Sequence, residues 1–253
     1  MNTTDLQQWT SRTRLLLGND TVERLRNIKV IILGMGGVGS WVAETLVRSG
    51  VYHIDIVDFD NVAPSNINRQ LPAFPSTVGL PKVEVMKQHL LAINPDAQIN
   101  AFNMLYTPDT ADSFDFNSYD YVVDAIDSLR DKVLLILRAT SSRCRFFSSM
   151  GAALKTDPTR IRVDEFWNAK GCRLAAALRT RFKRSGSLPR RKFKVVFSDE
   201  IVENRGVNTD SFSTDKISKP TTNGSLMQVT ATFGITLASL VINHCAASTD
   251  QQR

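Results

Sequence analysis

The stretch Lys29-Val-Ile-Ile-Leu-Gly34-Met-Gly36-Gly37-Val-Gly39-Ser-Trp41-Val-Ala-Glu-Thr-Leu46 decides the fold. A run of β-favouring aliphatics enters a cluster of glycines, and behind it Val38, Val42, Leu46 and Val47 recur at helical spacing, with Ala43 between them. The pattern reads as strand, tight turn, helix. Gly34 permits the turn, Gly36 and Gly37 let the backbone approach a ligand, and Gly39 lets the helix pack closely on the strand. The unpaired N–H groups of the first helical turn then face an incoming phosphate.

Outward from this stretch, short aliphatic runs alternate with helical periods. The expected fold class is α/β, a Rossmann-like doubly wound, mostly parallel sheet with an antiparallel extension in the C-terminal half. One domain over 1–253 is expected, with a nucleotide-binding half in 1–150 and a substrate half in 151–253. Upstream, Asp20 with Glu23 predicts a capped short helix, preceded by Arg12 and Arg14. Downstream, Gly50 ends the glycine helix and Tyr52 to Asp58 forms a strand. Asp58 then stands at a carboxyl strand end about twenty residues past the glycines, where an acid accepts hydrogen bonds from a ribose.

To this point an NAD-dependent oxidoreductase fits equally well. The next residues are Asp58-Phe-Asp60-Asn-Val-Ala-Pro-Ser65-Asn66-Ile-Asn68-Arg69-Gln70, followed by Gly79-Leu-Pro-Lys82. They suit a triphosphate: Arg69 as a planar fork, Lys82 as a mobile point charge, Asn66 as an uncharged donor. An oxidoreductase leaves Arg69, Lys82 and Asp127 without a role. Asp127 follows the strand Tyr119 to Asp124, with Ser128 beside it, and is predicted to begin a helix through Leu137. Gln98 to Asn103 and Arg145 to Gly151 read as further strands, the latter ending near the nucleotide. Thr107 to Ser118 reads as a polar crossover.

Composition narrows the setting. The N-terminus has neither the positive start nor the apolar run of a signal peptide, so a cytoplasmic location is expected. Cys144, Cys172 and Cys245 form no Cys-x-x-Cys pair, so neither a disulfide framework nor a structural zinc is expected. The net charge is +6, and ten Lys and Arg lie between Glu165 and Asp199 with no acid among them; subtracting them leaves +6 − 10 = −4 elsewhere. That basic segment, Lys170 to Lys194 with Phe182 and Phe193 interleaved, argues for a polyanionic partner, the aromatics either packing on the domain or stacking on an unpaired base. Arg160 to Glu165 alternates like an antiparallel strand, Leu174 to Phe182 reads as helix, and Phe193 to Ser198 as strand. Asn204 to Thr222 is polar. Gly224 to Ile242 is a long apolar helix whose Gln228, serines and threonines favour burial or an interface over stable membrane insertion.

Glycine loop, Asp-x-Asp-x-Val, Ser-Asn-x-x-Arg-Gln, Gly-x-x-Lys and the later Asp127 come in one order, and in this the chain resembles the ThiF/MoeB adenylating enzymes, relatives of the ubiquitin-activating enzymes. Arg14-Leu-Leu-Leu-Gly, Asn68-Arg-Gln, Asp124-Ala-Ile-Asp127-Ser, Asp157-Pro-Thr, Val-Phe-Ser198-x-Glu200 and Val229-Thr-Ala-Thr-Phe-Gly234 resemble the tRNA threonylcarbamoyladenosine dehydratase branch. The resemblance implies ATP with Mg2+, adenylation of the threonyl carboxylate of N6-threonylcarbamoyladenosine in tRNA, and closure to a cyclic form with loss of AMP. By matching motifs, Gly34, Gly36, Gly37, Gly39, Asp58, Asp60, Ser65, Asn66, Gln70 and Ser128 would border the nucleotide. Arg69 and Lys82 would neutralise phosphates, and Asp127 would lie near the metal. Arg14 would reach into a partner subunit's site, implying a homodimer. Cysteine desulfurase and sulfur-acceptor proteins are further candidate partners. The alternative within the family is adenylation of a ubiquitin-like sulfur carrier. Cys172 sits among basic residues, but no family motif surrounds it, and closure of an adenylate requires no thiol.

Overall fold

In the computed structural model, which describes residues 8–206 and 223–247, β1 (Lys29–Leu33) is the strand on which the rest is laid. Its side chains alternate: Val30 and Ile32 enter one core, Ile31 and Leu33 the other. A strand buried on both faces is necessarily apolar throughout, which is why this run has no polar alternation. Before it come α1 (Ser11–Leu17) and α2 (Asn19–Asn27). After it come α3 (Gly39–Arg48), β2 (His53–Val57), α4 (Lys82–Ile93), β3 (Gln98–Phe102), β4 (Tyr121–Asp124), α5 (Leu129–Ser141) and β5 (Arg145–Ser149). β6 (Ile161–Glu165), α6 (Arg173–Ser185), β7 (Lys194–Ser198) and α7 (Met227–Ala247) complete the order.

The sheet has seven strands in the order β3-β2-β1-β4-β5-β7-β6, all parallel except β6, which runs antiparallel to β7. Residues of α3, α4 and α7 fill the core on one face, and α5, α6 and the segment before β4 fill the other. This is the doubly wound arrangement expected, with its antiparallel extension in the C-terminal half. Sequence-consecutive strands run outward from β1 to β3 and then restart at β4 on the other side of β1. The crevice between the carboxyl ends of β1 and β4 is therefore the switch point where ligands bind in such sheets.

Several local expectations shift. Asp20 does not cap α2. Gly18, with φ of 82°, precedes a helix that already begins at Asn19, leaving Asp20 in the first turn, where its charge still suits the positive helix end. Asp127 does not begin α5: Ser128 is the extended residue before Leu129. Thr107 to Ser118 is less polar in place than in sequence, because Ala111, Phe114 and Phe116 turn inward and join Tyr106, whose ring lies 6.0 Å from that of Phe116. The polar stretch Asn204 to Thr222 lies largely outside the described residues.

In the basic segment Phe182 and Phe193 are buried, at 0% and 6% exposure, so they pack on the domain and do not await a base. Arg191 is also structural. It donates to the carbonyls of Ala139, Thr140 and Cys144 at 3.0, 2.9 and 2.8 Å, satisfying the end of α5 and the start of β5. α7 is long and apolar enough to cross a membrane by length and composition, yet Val229, Phe233, Leu237, Ala238 and Val241 are wholly buried in the core. At its crossing with α3, Gly234 lies against Val38 O and Trp41.

Arg191→Ala leaves these carbonyls short of a charged donor, and the expected loss of unfolding free energy is about 1–3 kcal/mol. Urea denaturation followed by circular dichroism measures it; an unchanged midpoint would show that water replaces the guanidinium fully.

Candidate active site

Gly34 stands at the switch point with φ of 96°, and a Cβ there would come within 2.7 Å of Ala125 O, so only glycine lets the β1 and β4 exits meet. Gly39 sits directly against the Gly34 carbonyl, as expected of a residue chosen for close helix–strand packing. Gly37 faces Thr230 Oγ1 at 3.1 Å and Arg69 Cγ at 3.3 Å from its Cβ position. The space over Gly36 is open: within 4 Å of its Cβ position lies Gln70 Nε2 alone, at 3.7 Å.

Asp58 accepts from Met35 N at 2.6 Å and Asp60 N at 2.8 Å, clamping the glycine loop to the turn after β2. Burial raises its pKa above the ordinary aspartate value, against the pull of those N–H groups and the charge of Lys82. Its remaining lone pairs can accept ribose hydroxyls. Asp60 pairs with Lys82, Nζ to Oδ2 at 2.7 Å, and its carbonyl takes the Lys82 N–H. Lys82 is thus a buried residue at the first position of α4, held by Asp60 and not the mobile point charge expected, with its side chain 5% exposed.

The turn between carries the other polar groups. Asn66 is buried and uses Oδ1 to accept from Ala63 N at 3.0 Å. Arg69 donates to Ser65 O at 2.9 Å and Asn68 Oδ1 at 2.8 Å. Burial lowers the Arg69 pKa from its ordinary value, opposed by the charge of the Asp127 carboxylate. Asp127 itself is exposed. Gln70 is buried, and its Oε1 has no hydrogen-bond partner among the described residues. An orphaned acceptor on a side chain beside an open glycine, next in sequence to Arg69, fits a phosphate-bearing ligand whose ribose or base supplies the missing donor.

The structure brings together Gly34, Gly36, Gly37, Gly39, Asp58, Asp60, Ser65, Asn66, Arg69, Gln70, Lys82 and Asp127, with Ser128 next to it. Arg14 is elsewhere. It lies on α1, bonded to Glu23 at 2.8 Å and to Thr10 at 3.3 Å, and the Thr10 methyl packs by Gly50 just before β2, toward the amino ends of the strands. Ser148, expected at the nucleotide, is fully buried below it.

There it takes part in a group the sequence reading missed. Asp124 accepts from Ser148 Oγ at 2.6 Å and pairs with Lys132 Nζ at 2.8 Å, and Lys132 also donates to Ile126 O at 2.7 Å. All three side chains are inaccessible to solvent. The available signal was Lys132 itself, a charge on the apolar stripe formed by Leu135, Ile136 and Ala139. Thr230 against Gly37, and Asn68 Nδ2 donating to Ser225 O at 2.9 Å, were likewise unforeseen contributions from the distant end of the chain.

Loss of the Arg69 guanidinium in Arg69→Ala should weaken ATP binding about ten- to a hundredfold, the worth of a charge-assisted hydrogen bond. Lys82→Ala should do the same and also melt at lower temperature, because Asp60 loses its partner. Calorimetric titration with thermal melting separates the two effects; unchanged ATP affinity in both variants would put the phosphates elsewhere.

A model of the ThiF family matches residues 10–247. The tRNA threonylcarbamoyladenosine dehydratase of Bacillus subtilis is 42% identical over 190 residues, 75% of this chain and 74% of that protein. The protein of that name from Escherichia coli is 33% identical over 256 residues, covering 95% and 94%. The crystal structure of E. coli tRNA N6-threonylcarbamoyladenosine dehydratase, TcdA, in complex with ATP superposes with a TM-score of 0.84 at 31% identity, covering 98% of this chain and 97% of that one. Its complex with AMP gives 0.85, covering 97% and 96%. With the family's model spanning almost all the described residues and relatives aligned over most of both lengths, this chain belongs to the ThiF family.

Proposed function

We propose that the chain is an ATP-dependent tRNA threonylcarbamoyladenosine dehydratase. The observation that carries the reading is the convergence of Gly36, Asp58, Arg69, Lys82 and Asp127 at the switch point, in a chain whose ThiF-family relatives bear that name. In this reading the threonyl carboxylate attacks the α-phosphorus of ATP, and pyrophosphate leaves. The urea oxygen of the same nucleoside then closes on the activated carbonyl, a proton is lost, and AMP departs. The net change in the nucleoside is loss of one water. Arg69 and Lys82 neutralise phosphate charge, Asp58 holds the ribose, and the loop amides border the phosphates; such transfer is mostly positioning and charge neutralisation. Among the described residues no cluster of His, Cys, Asp or Glu is built to hold a metal, so Mg2+ would arrive on the triphosphate with Asp127 as its protein neighbour. No thiol is required, and Cys144, Cys172 and Cys245 are free and buried. Three reduced cysteines suit the cytoplasm, where we place the reaction.

The same reading divides the chain into a nucleotide half, 1–150, and an acceptor half, 151–253, and makes the enzyme a homodimer. Leu15 and Leu16 on α1 are 87% and 84% exposed beside Arg14, as an uncovered subunit contact would be. A second copy placing Arg14 at its neighbour's phosphates would account for its distance from the site in one protomer.

Mass spectrometry of nucleosides from modified tRNA incubated with the protein and ATP should show N6-threonylcarbamoyladenosine converted to a product lighter by one water, with AMP and pyrophosphate formed in equal amounts. ATP consumed without change in the tRNA would overturn the reading in favour of another adenylated acceptor. In the same assay, inactive Arg14→Ala and Asp127→Ala proteins should regain partial activity when mixed; no recovery after proven subunit exchange would remove the trans role of Arg14.

For the basic segment, Arg179 and Arg191 are engaged with backbone carbonyls, whereas Arg181, Lys183, Arg184, Arg190 and Lys192 are exposed. If these track tRNA phosphates, reversing Arg184, Arg190 and Lys192 to Glu should reduce the slope of log affinity against log salt by about 2–3. ATP binding should be unchanged. Equal slopes for wild type and variant would leave the segment as solvated surface.

A further inference from the structure

The nucleotide crevice continues, past β4, into ground that its residues do not explain. Met150 N donates to Val196 O at 2.8 Å, so the exits of β5 and β7 run side by side, and Glu200 is one of the residues that tie together the segments that leave them. Glu200, 6% exposed, accepts from Thr156 Oγ1 at 2.7 Å, Thr156 N at 2.9 Å and Asp157 N at 3.0 Å. Those donors, the Thr156 hydroxyl first, hold its pKa down at about 2. Its backbone carbonyl takes Lys155 Nζ at 2.6 Å. Leu154, between them, has φ of 57°, which a branched side chain rarely adopts, and it is held there by bonds from its N–H to Gly224 O and from Val202 N to its carbonyl.

This framework walls a cavity of about 690 Å³, with Lys155, Arg205, Ser225 and Leu226 among its lining. Its far wall is joined to the phosphate turn, since Ser225 O accepts from Asn68, the neighbour of Arg69. Lys155 is 6% exposed, and of the three donors of its ammonium one is satisfied by Glu200 O. Burial lowers its pKa from the ordinary lysine value, against the opposing pull of the Glu200 and Asp199 carboxylates, and two of its donors have no partner among the described residues. A cavity adjoining the phosphates, large enough for an amino-acid side group and carrying a buried cation, has the chemistry to take a carboxylate.

We infer that the cavity between the β5 and β7 exits receives the carboxylate-bearing amino-acid group of the acceptor, with Lys155 as its counter-charge and Glu200 as the residue that positions Lys155. The inference rests on the dehydratase reading and assigns the acceptor end of that site. Arg69 and Lys82 serve the phosphates and Lys155 the incoming acid, so the two anions that must meet are held by separate cations.

The test compares free N6-threonylcarbamoyladenosine with its neutral methyl ester as ligands of the full chain with a non-hydrolysable ATP analogue bound. Wild type should prefer the acid by about ten- to a hundredfold, the span of one charge-assisted contact. Lys155→Met should lose that preference by weakening the acid alone, with the ester and ATP analogue unaffected; Lys155→Arg should recover part of it. Glu200→Gln should fall between. Leu226→Trp, which narrows the cavity without touching a charge, should weaken acid and ester alike, and it decides the matter if Lys155→Met does not fold. Undiminished preference for the acid in Lys155→Met, or unaltered binding of both ligands in Leu226→Trp, would overturn the inference. If wild type converts modified tRNA while these variants bind normally, only the acceptor assignment fails; if wild type leaves the tRNA unchanged, the dehydratase reading fails with it.

Discussion

The pairing of Lys132 with Asp124 beneath the switch point is the interaction on which the site depends most. Two opposite charges wholly out of water attract strongly, but each has given up hydration of comparable size, so the pair adds little net stability. What it fixes is geometry. Asp124 ends β4 and accepts the Ile126 N–H at 3.0 Å, Lys132 in the first turns of α5 holds the Ile126 carbonyl, and Ser148 brings in β5. The loop between β4 and α5 is therefore pinned at both its N–H and its C=O, and that loop carries Asp127, whose charge acts on Arg69. Loss of either charge would strand the other in an apolar medium, at about 3–5 kcal/mol.

Above this base the cations are already occupied. Lys82 rests on Asp60 and Arg69 on Ser65 and Asn68, so no bare positive pair faces the crevice. Phosphates must then exchange partners with groups that are positioned in advance. Preorganised donors cost little reorganisation when charge develops, which is where polar sites gain most over water. Asp58 behaves similarly: its carboxylate holds the loop amides of Met35 and Asp60 in place, so one group shapes the loop and also presents lone pairs to a ribose.

The first half of the site was legible because its signals are local. Glycines at fixed spacing, an acid at a strand end and the Ser65 to Gln70 turn each state their role within a few residues, and a parallel sheet with short connections preserves that order in space. The contributions of Thr230, Ser225 and Glu200 were not legible, because each acts on a residue about forty to two hundred positions away and nothing near it in sequence reveals the partner. Cap assignments failed for a subtler reason: Asp20 has the right chemistry, but Gly18 at positive φ let the helix start before it. Basic composition misled where a charge was spent internally, since Arg191 resembles its exposed neighbours until the carbonyls of α5 and β5 are placed around it.

The crossing of α7 on α3 has a consequence for how the protein is made. Gly234 sits against Val38 and Trp41, and Thr230 backs Gly37, so the glycine loop is walled by the last helix of the described chain. On a ribosome the first strands and their connections emerge well before Met227, while part of one face of the sheet and the rear of that loop still lack their cover. Until α7 arrives the nascent chain covers this face with α3 and α4 alone, which makes the interval a natural one for chaperone attention.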